Sequence, residues 1–157
     1  MDYKSKIILI AGPTASGKSK IAINLAKKID GEIINADSMQ VYKQLKILTA
    51  RPTGEDRKNI KHYLFGIIDV RKRFSTGQWL KECIKTINLI RKRKKVPIIV
   101  GGTGLYFKAL VDGLVRIPKF KPSDKNKILK LHNKLGQNQF YKKLIKLDPI
   151  SKKFVNS

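Results

Sequence analysis

The sequence predicts an α/β fold, a parallel sheet flanked by helices, followed by the start of a strongly basic helical region. Three observations carry this. Short apolar runs at residues 7–11, 32–35 and 97–100 have the length of buried strands. Helical patterns stand between them, and strands that alternate with helices build parallel sheets with right-handed crossovers. From Arg116 onward twelve basic residues face only two acids, Asp124 and Asp148, and the strand pattern stops.

The elements follow in order. Residues 7–11 (Ile-Ile-Leu-Ile-Ala) form a first strand that runs directly into Gly12, Pro13, Thr14, Ala15, Ser16, Gly17, Lys18 and Ser19. The next segment sets Ile21, Ala22, Leu25, Ala26 and Ile29 on one helical face, Gly31 punctuates, and residues 32–35 read as the second strand. Residues 43–62 are polar and carry Pro52 and Gly54, which predicts loop with some short helix, whereas residues 63–70 are rich in strand formers. Ser75 and Gln78 have the spacing of a capping box, each side chain able to satisfy a free backbone N–H of a first helical turn. The helix they open carries Trp79, Cys83, Ile87 and Ile90, and ends in five consecutive cations, residues 91–95, which suit the negative end of a helix dipole. Residues 97–100 are another buried strand, closed by Gly101, Gly102, Thr103 and Gly104. Two helical patterns, Ile128/Leu131/Leu135 and Phe140/Leu144/Leu147, flank Gly136. The expected organisation is an α/β core over residues 1–115 and a helical element over 116–157.

At 157 residues the chain is long enough for one domain with a proper core. No uninterrupted apolar stretch is long enough to cross a bilayer, so no membrane partner is expected. Residues 7–10 are too short for a signal-peptide core and lead into a glycine-rich loop. The lone cysteine, Cys83, offers neither a disulfide framework nor metal-ligand spacing, and its place on an apolar stripe reads as core. The cytoplasm is the expected compartment. A formal net charge of +24 and a pI near 10.3 make polyanions candidate partners through counterion release and steering. The competing reading is that lysine simply fills solvated surface.

Residues 12–19 satisfy G-x-x-x-x-G-K-[ST] between a strand and a helix, the P-loop context. The sheet is thus expected to be P-loop NTPase-like. Glycines let backbone N–H groups close around phosphate oxygens, and the helix start adds its positive dipole. Lys18 reaches the outer phosphates and the Ser19 hydroxyl serves as a Mg²⁺ ligand. Loops after the carboxyl ends of parallel strands line the ligand crevice, so the P-loop, Asp37 and Thr103 are expected to converge. A carboxylate beside a Mg-diphosphate acts as a general base or holds the metal through water. The alternative for Asp37 is a helix cap with Ser38, and Asp69 is a rival carboxylate.

Four blocks in order carry a more specific resemblance: residues 12–19, residues 35–42 (Asn-Ala-Asp-Ser-Met-Gln-Val-Tyr), residues 49–53 (Thr-Ala-Arg-Pro-Thr) and residues 100–106 (Val-Gly-Gly-Thr-Gly-Leu-Tyr). Together they closely resemble the tRNA dimethylallyltransferase family, also called tRNA isopentenyltransferases. The resemblance runs from Ile7 to about Gly113 and continues more loosely to the end. It implies transfer of a dimethylallyl group from dimethylallyl diphosphate to N6 of the adenosine 3′ of the tRNA anticodon. Asp37 then resembles the general base, while Lys18 and Ser19, with Mg²⁺, would stabilise the departing diphosphate. Thr103 resembles a contact near the bridging oxygen or target nucleotide. Asp37, Ser38, Met39 and Gln40 resemble the stretch that grips the extruded adenosine. Lys125 falls near a basic tRNA-contact position, in the anticodon-arm-binding insertion. The family often reads His-His-Leu where this chain has His62-Tyr63-Leu64. Family members continue well past residue 157, so the expectation is a C-terminally shortened, monomeric member. A free-nucleotide prenyl transferase, a P-loop nucleotide kinase and a non-catalytic tRNA-binding fragment are the alternatives.

Overall fold

The computed structural model describes residues 6–57, 59–115 and 121–155. The chain divides into two compact units, Met1–Leu114 and Val115–Ser157.

The first unit is built on four parallel strands, β1 (Ile8–Ala11), β2 (Gly31–Asn35), β3 (His62–Tyr63) and β4 (Val96–Gly101), in the spatial order β1-β4-β2-β3. Helices α1 (Lys18–Ile29), α2 (Gly54–Arg57), α3 (Thr76–Lys92) and α4 (Gly104–Asp112) complete it. Every residue of β2 and β4 is buried, the state of central strands covered on both faces. Because side chains alternate across a strand, Ile33 and Ile98 pack with Ala22, Ile23 and Ala26 of α1 on one face. Ile34 and Ile99 pack with Trp79, Cys83 and Ile87 of α3 and Tyr106 of α4 on the other. The register aligns Ala11 with Gly101 and Asn35 with Val100, which brings three strand ends to one level.

The capping box of α3 is formed as expected: Ser75 Oγ accepts from Gln78 N at 3.2 Å and Gln78 Oε1 accepts from Ser75 N at 2.8 Å. Two cations after α3 turn back onto the start of β2. Arg93 pairs with Glu32, a carboxylate only 2% exposed, which also accepts from the Tyr63 hydroxyl at 2.9 Å. Lys95 pairs with Asp30 at 2.8 Å. Cys83 is fully buried, and burial pushes its thiol up to about 12.

Two expectations are corrected. On α1 Ala22, Leu25, Ala26 and Ile29 face the core as expected, but Ile23 is buried there and Ile21 is exposed. Residues 63–70 form no long strand: extension ends because Leu64 and Gly66 take positive φ. Their neighbours bond instead to the chain after β2, with Gly66 N donating to Gln40 O and Ile67 N and Ile68 N to Val41 O. An isolated parallel bridge, Tyr42 with Ile68, is what remains.

The second unit consists of α5 (Pro122–Leu147) and a 3₁₀ turn (Pro149–Lys153). Gly136 breaks α5 into two helices with φ 71° and ψ 169°, a region open essentially to glycine. His132 meets the edge of Phe140 at 5.0 Å across the break, and Asp148 Oδ1 accepts from Ile150 N to cap the final turn. Among the described residues none here is fully buried; Leu131, Leu135, Phe140 and Leu144 are half covered, while Ile128 and Leu147 are exposed.

Candidate active site

The P-loop follows β1 without slack. Gly12 N donates to Gly101 O at 3.3 Å, tying the loop to the end of β4. Ala15 and Gly17 both take positive φ, which turns the loop around its own centre. Gly17 is the N-cap of α1 and no side chain caps that end, an arrangement that leaves first-turn N–H groups for an outside acceptor. Lys18 Nζ lies across the loop, donating to Pro13 O at 2.5 Å.

Asp37 stands two residues past β2 and its backbone is bracketed by Asn35, which is fully buried. Asn35 Oδ1 accepts from Asp37 N at 2.9 Å, and its Nδ2 donates to Asp37 O at 2.9 Å and to Leu64 O at 3.1 Å. Trp79 Nε1 donates to the Asn35 carbonyl at 2.8 Å, and its ring stacks on Tyr106 with centroids 4.2 Å apart. Asp37 Oδ1 accepts from Met39 N at 2.9 Å and Gln40 N at 3.4 Å. No helix follows Asp37, so one carboxylate oxygen caps a turn instead of a helix, which fixes the side chain's direction. Gly101 makes this approach possible: a Cβ there would lie 2.2 Å from both C and O of Ala36. Thr103 joins from the β4 side. Its N donates to Ala36 O at 3.1 Å, and its Oγ1 accepts from Ser38 N at 2.9 Å and donates to Ser38 Oγ at 3.2 Å.

These strand ends enclose a cleft of about 600 Å³. Thr14, Ala15, Ser16, Gly17, Lys18 and Ser19 line its cationic, donor-rich side. Asp37, Met39 and Gln40 line a second wall. Gly12, Pro13, Ser38 and Thr103 stand outside the lining, in the backbone that supports it. Lys125 is exposed on α5 of the second unit and is not part of this cleft. The rival Asp69 is also outside it, held by Arg71 Nε at 2.9 Å and Gln44 Nε2 at 2.9 Å, and the Arg71 guanidinium keeps its carboxyl well below the usual range.

Leu48 and Phe65 of the third wall escaped sequence reasoning, whereas Thr49 and Ala50 belong to the block at residues 49–53. That wall comes from Leu48, Thr49, Ala50 and Phe65. The signal that could have flagged it is the pair Ile47-Leu48, apolar residues inside an otherwise polar loop, both exposed at 94% and 80%. Gln40 Nε2 donates to Thr49 O at 2.8 Å and so holds this segment against the second wall.

The sequence model of the family described as IPP transferase matches residues 40–157. The tRNA dimethylallyltransferase of Pelagibacter ubique is 63% identical over 149 residues, covering 95% of this chain and 48% of that protein. That of Rickettsia bellii is 42% identical, over 98% of this chain and 49% of the relative. The chain thus spans about half the length of the relatives it matches. Among solved structures, a eukaryotic dimethylallyltransferase acting on tRNA superposes with a TM-score of 0.78 at 35% identity, over 95% of this chain and 37% of that one. The tRNA isopentenylpyrophosphate transferase of Bacillus halodurans gives 0.71 at 34% identity, over 96% and 50%. Matched over three quarters of its length by the family's sequence model and over nearly all of it by these relatives, the chain belongs to the IPP transferase family, that of the tRNA dimethylallyltransferases.

Proposed function

We propose that this chain carries the prenyl-transfer site of a tRNA-modifying enzyme, moving a dimethylallyl group from its diphosphate to N6 of the adenosine 3′ of the anticodon. The observation that carries this reading is the meeting of the P-loop and Asp37 in one cleft with an apolar third wall. A nucleotide kinase needs the first feature; a prenyl diphosphate needs the last as well.

In this reading the P-loop N–H groups and Lys18 hold the diphosphate. The adenosine, extruded from its stack so that N6 is reachable, attacks C1 of the allylic group. The C1–O bond breaks, its electron pair leaves with the diphosphate, and the N6 proton passes to Asp37 as general base. Lys18 and the helix start meet the charge that develops on the leaving group. Thr103 and Ser38 fix the backbone from which Asp37 projects, and Met39 and Gln40 face the nucleotide.

The donor set fits Mg²⁺. The Ser19 hydroxyl is a hard oxygen donor that lines the cleft beside Lys18. Ser19 would hold the ion; when bound, it would supply charge neutralisation for the diphosphate, leaving Asp37 free as the base.

Residues 116–157 would begin the helical insertion that meets the anticodon arm, with Lys125 among its phosphate contacts. No helix among the described residues is long and apolar enough to cross a membrane. The reading carries the cytoplasm as compartment and a monomer as working form. Thermal melting with Mg²⁺ tests it. A saturating ligand at a hundredfold over its Kd stabilises the folded form by about 2.7 kcal/mol. The midpoint is expected to rise with dimethylallyl diphosphate; a rise with ATP alone would make the kinase the better reading.

A further inference from the structure

Resting on that reading, we infer that Leu48 is a specificity-determining residue, the side chain that makes this P-loop prefer a diphosphate ester with a small branched apolar tail over a bare diphosphate. Leu48 is 80% exposed yet lines the cleft across from the phosphate-binding loop. An apolar side chain left in water is ordinary when its backbone is loose, but this one is held in place. Thr49 N donates to Leu45 O at 3.1 Å, Ala50 N to Ile47 O at 3.0 Å and Arg51 N to Lys46 O at 3.1 Å, closing a helical turn under it. The Arg51 guanidinium locks that turn to the chain after β2, donating to Tyr42 O at 3.2 Å and Lys43 O at 3.4 Å. It fills the space beside Gly66, where a Cβ would lie 1.8 Å from Arg51 Nη1.

The cleft is therefore two-natured. One side offers backbone N–H groups and Lys18 for an anion, the other offers Leu48 and Phe65. A ligand that joins a diphosphate to a short hydrocarbon covers both at once, and covering Leu48 removes apolar surface from water only when the tail is present. Ile47 supplies an internal control: it is adjacent, on the same turn, 94% exposed, and does not line the cleft.

The test measures Kd for dimethylallyl diphosphate and for inorganic pyrophosphate, both with Mg²⁺, on the wild-type chain and on Leu48→Ala, Leu48→Met and Ile47→Ala. Leu48→Ala is expected to weaken dimethylallyl diphosphate on the order of tenfold, as loss of a few buried methylenes would. Pyrophosphate should keep its affinity, Leu48→Met should restore the ester, and Ile47→Ala should change neither. Equal losses for both ligands in Leu48→Ala, or equal effects of Leu48→Ala and Ile47→Ala, would overturn the inference and leave the transferase reading standing. So would a wild type that binds the ester no tighter than pyrophosphate. A wild type that binds neither ligand would remove the transferase reading and this inference with it.

Discussion

The two units of the chain solve opposite problems. In the first, both faces of β2 and β4 are covered and the site rests on backbone contacts so close that only glycine fits. In the second, no described residue is fully buried, and twelve basic residues stand against two acids from residue 116 on. One unit is organised inward, to hold three strand ends at a common level; the other is organised outward, as cationic surface on two short helices. The difference teaches where each unit tolerates change. Packing governs the first, while conformational freedom and charge govern the second.

Glycine substitutions break the comparison most sharply. Gly101→Ala drives a methyl group into the Ala36 carbonyl, and is expected to cost about 3 kcal/mol or more, at the upper end of overpacking effects, with loss of diphosphate binding. Gly136→Ala meets no atom within 4 Å, so its cost is confined to the positive φ, about 1–3 kcal/mol. Urea denaturation of both variants with and without dimethylallyl diphosphate separates them: only the first should lose the ligand response.

Glu32→Ala removes the buried partner of Arg93 and of the Tyr63 hydroxyl. Breaking a buried pair is usually severe, but Arg93 keeps about a third of its side chain in solvent, so the expected loss is about 2 kcal/mol. Arg93→Met in the same background should recover part of it, read as a rise in melting midpoint.

Cys83 sharpens the inward character of the first unit. Its thiol is raised to about 12 by burial, so the unfolded chain releases this proton first as pH rises. The folded form holds the proton longer, and the contribution to stability is full below about pH 9 and declines through pH 12. A Cys83→Ala variant should show a shallower loss over that window, after correction for its cavity. The smallest effect belongs to the outward unit: Lys125→Gln should leave the fold untouched and lower the salt slope of tRNA binding by roughly one phosphate contact.

Much of the inward unit was legible because its signals are local. Residues 97–100 can be little else than a buried strand, Ser75 and Gln78 announce the start of α3, and residues 12–19 mark by motif the loop between β1 and α1. The convergence of Asp37 with the P-loop followed from topology alone. What was not legible depended on tertiary contacts. Residues 63–70 have strand propensity, yet two left-handed residues and the carbonyls of Gln40 and Val41 redirect them. Leu48 reaches the cleft because the loop between β2 and α2 folds back, and Phe65 because the chain turns after β3, facts no periodicity encodes. On α1 Ile21 and Ile23 flank Ala22 on opposite edges of the same stripe, and a short stripe does not resolve which edge is buried.

Trp79 gives the molecule a property of another kind. It is the single tryptophan of the chain, fully buried, stacked on Tyr106 and bonded through its indole N–H to the carbonyl of Asn35, the residue that brackets Asp37. Light absorbed at the red edge of the protein spectrum is thus captured at one point, a few ångströms of backbone from the candidate base. The protein carries its own optical probe, a single emitter whose colour and lifetime are expected to report any shift of the Asn35 carbonyl it is bonded to.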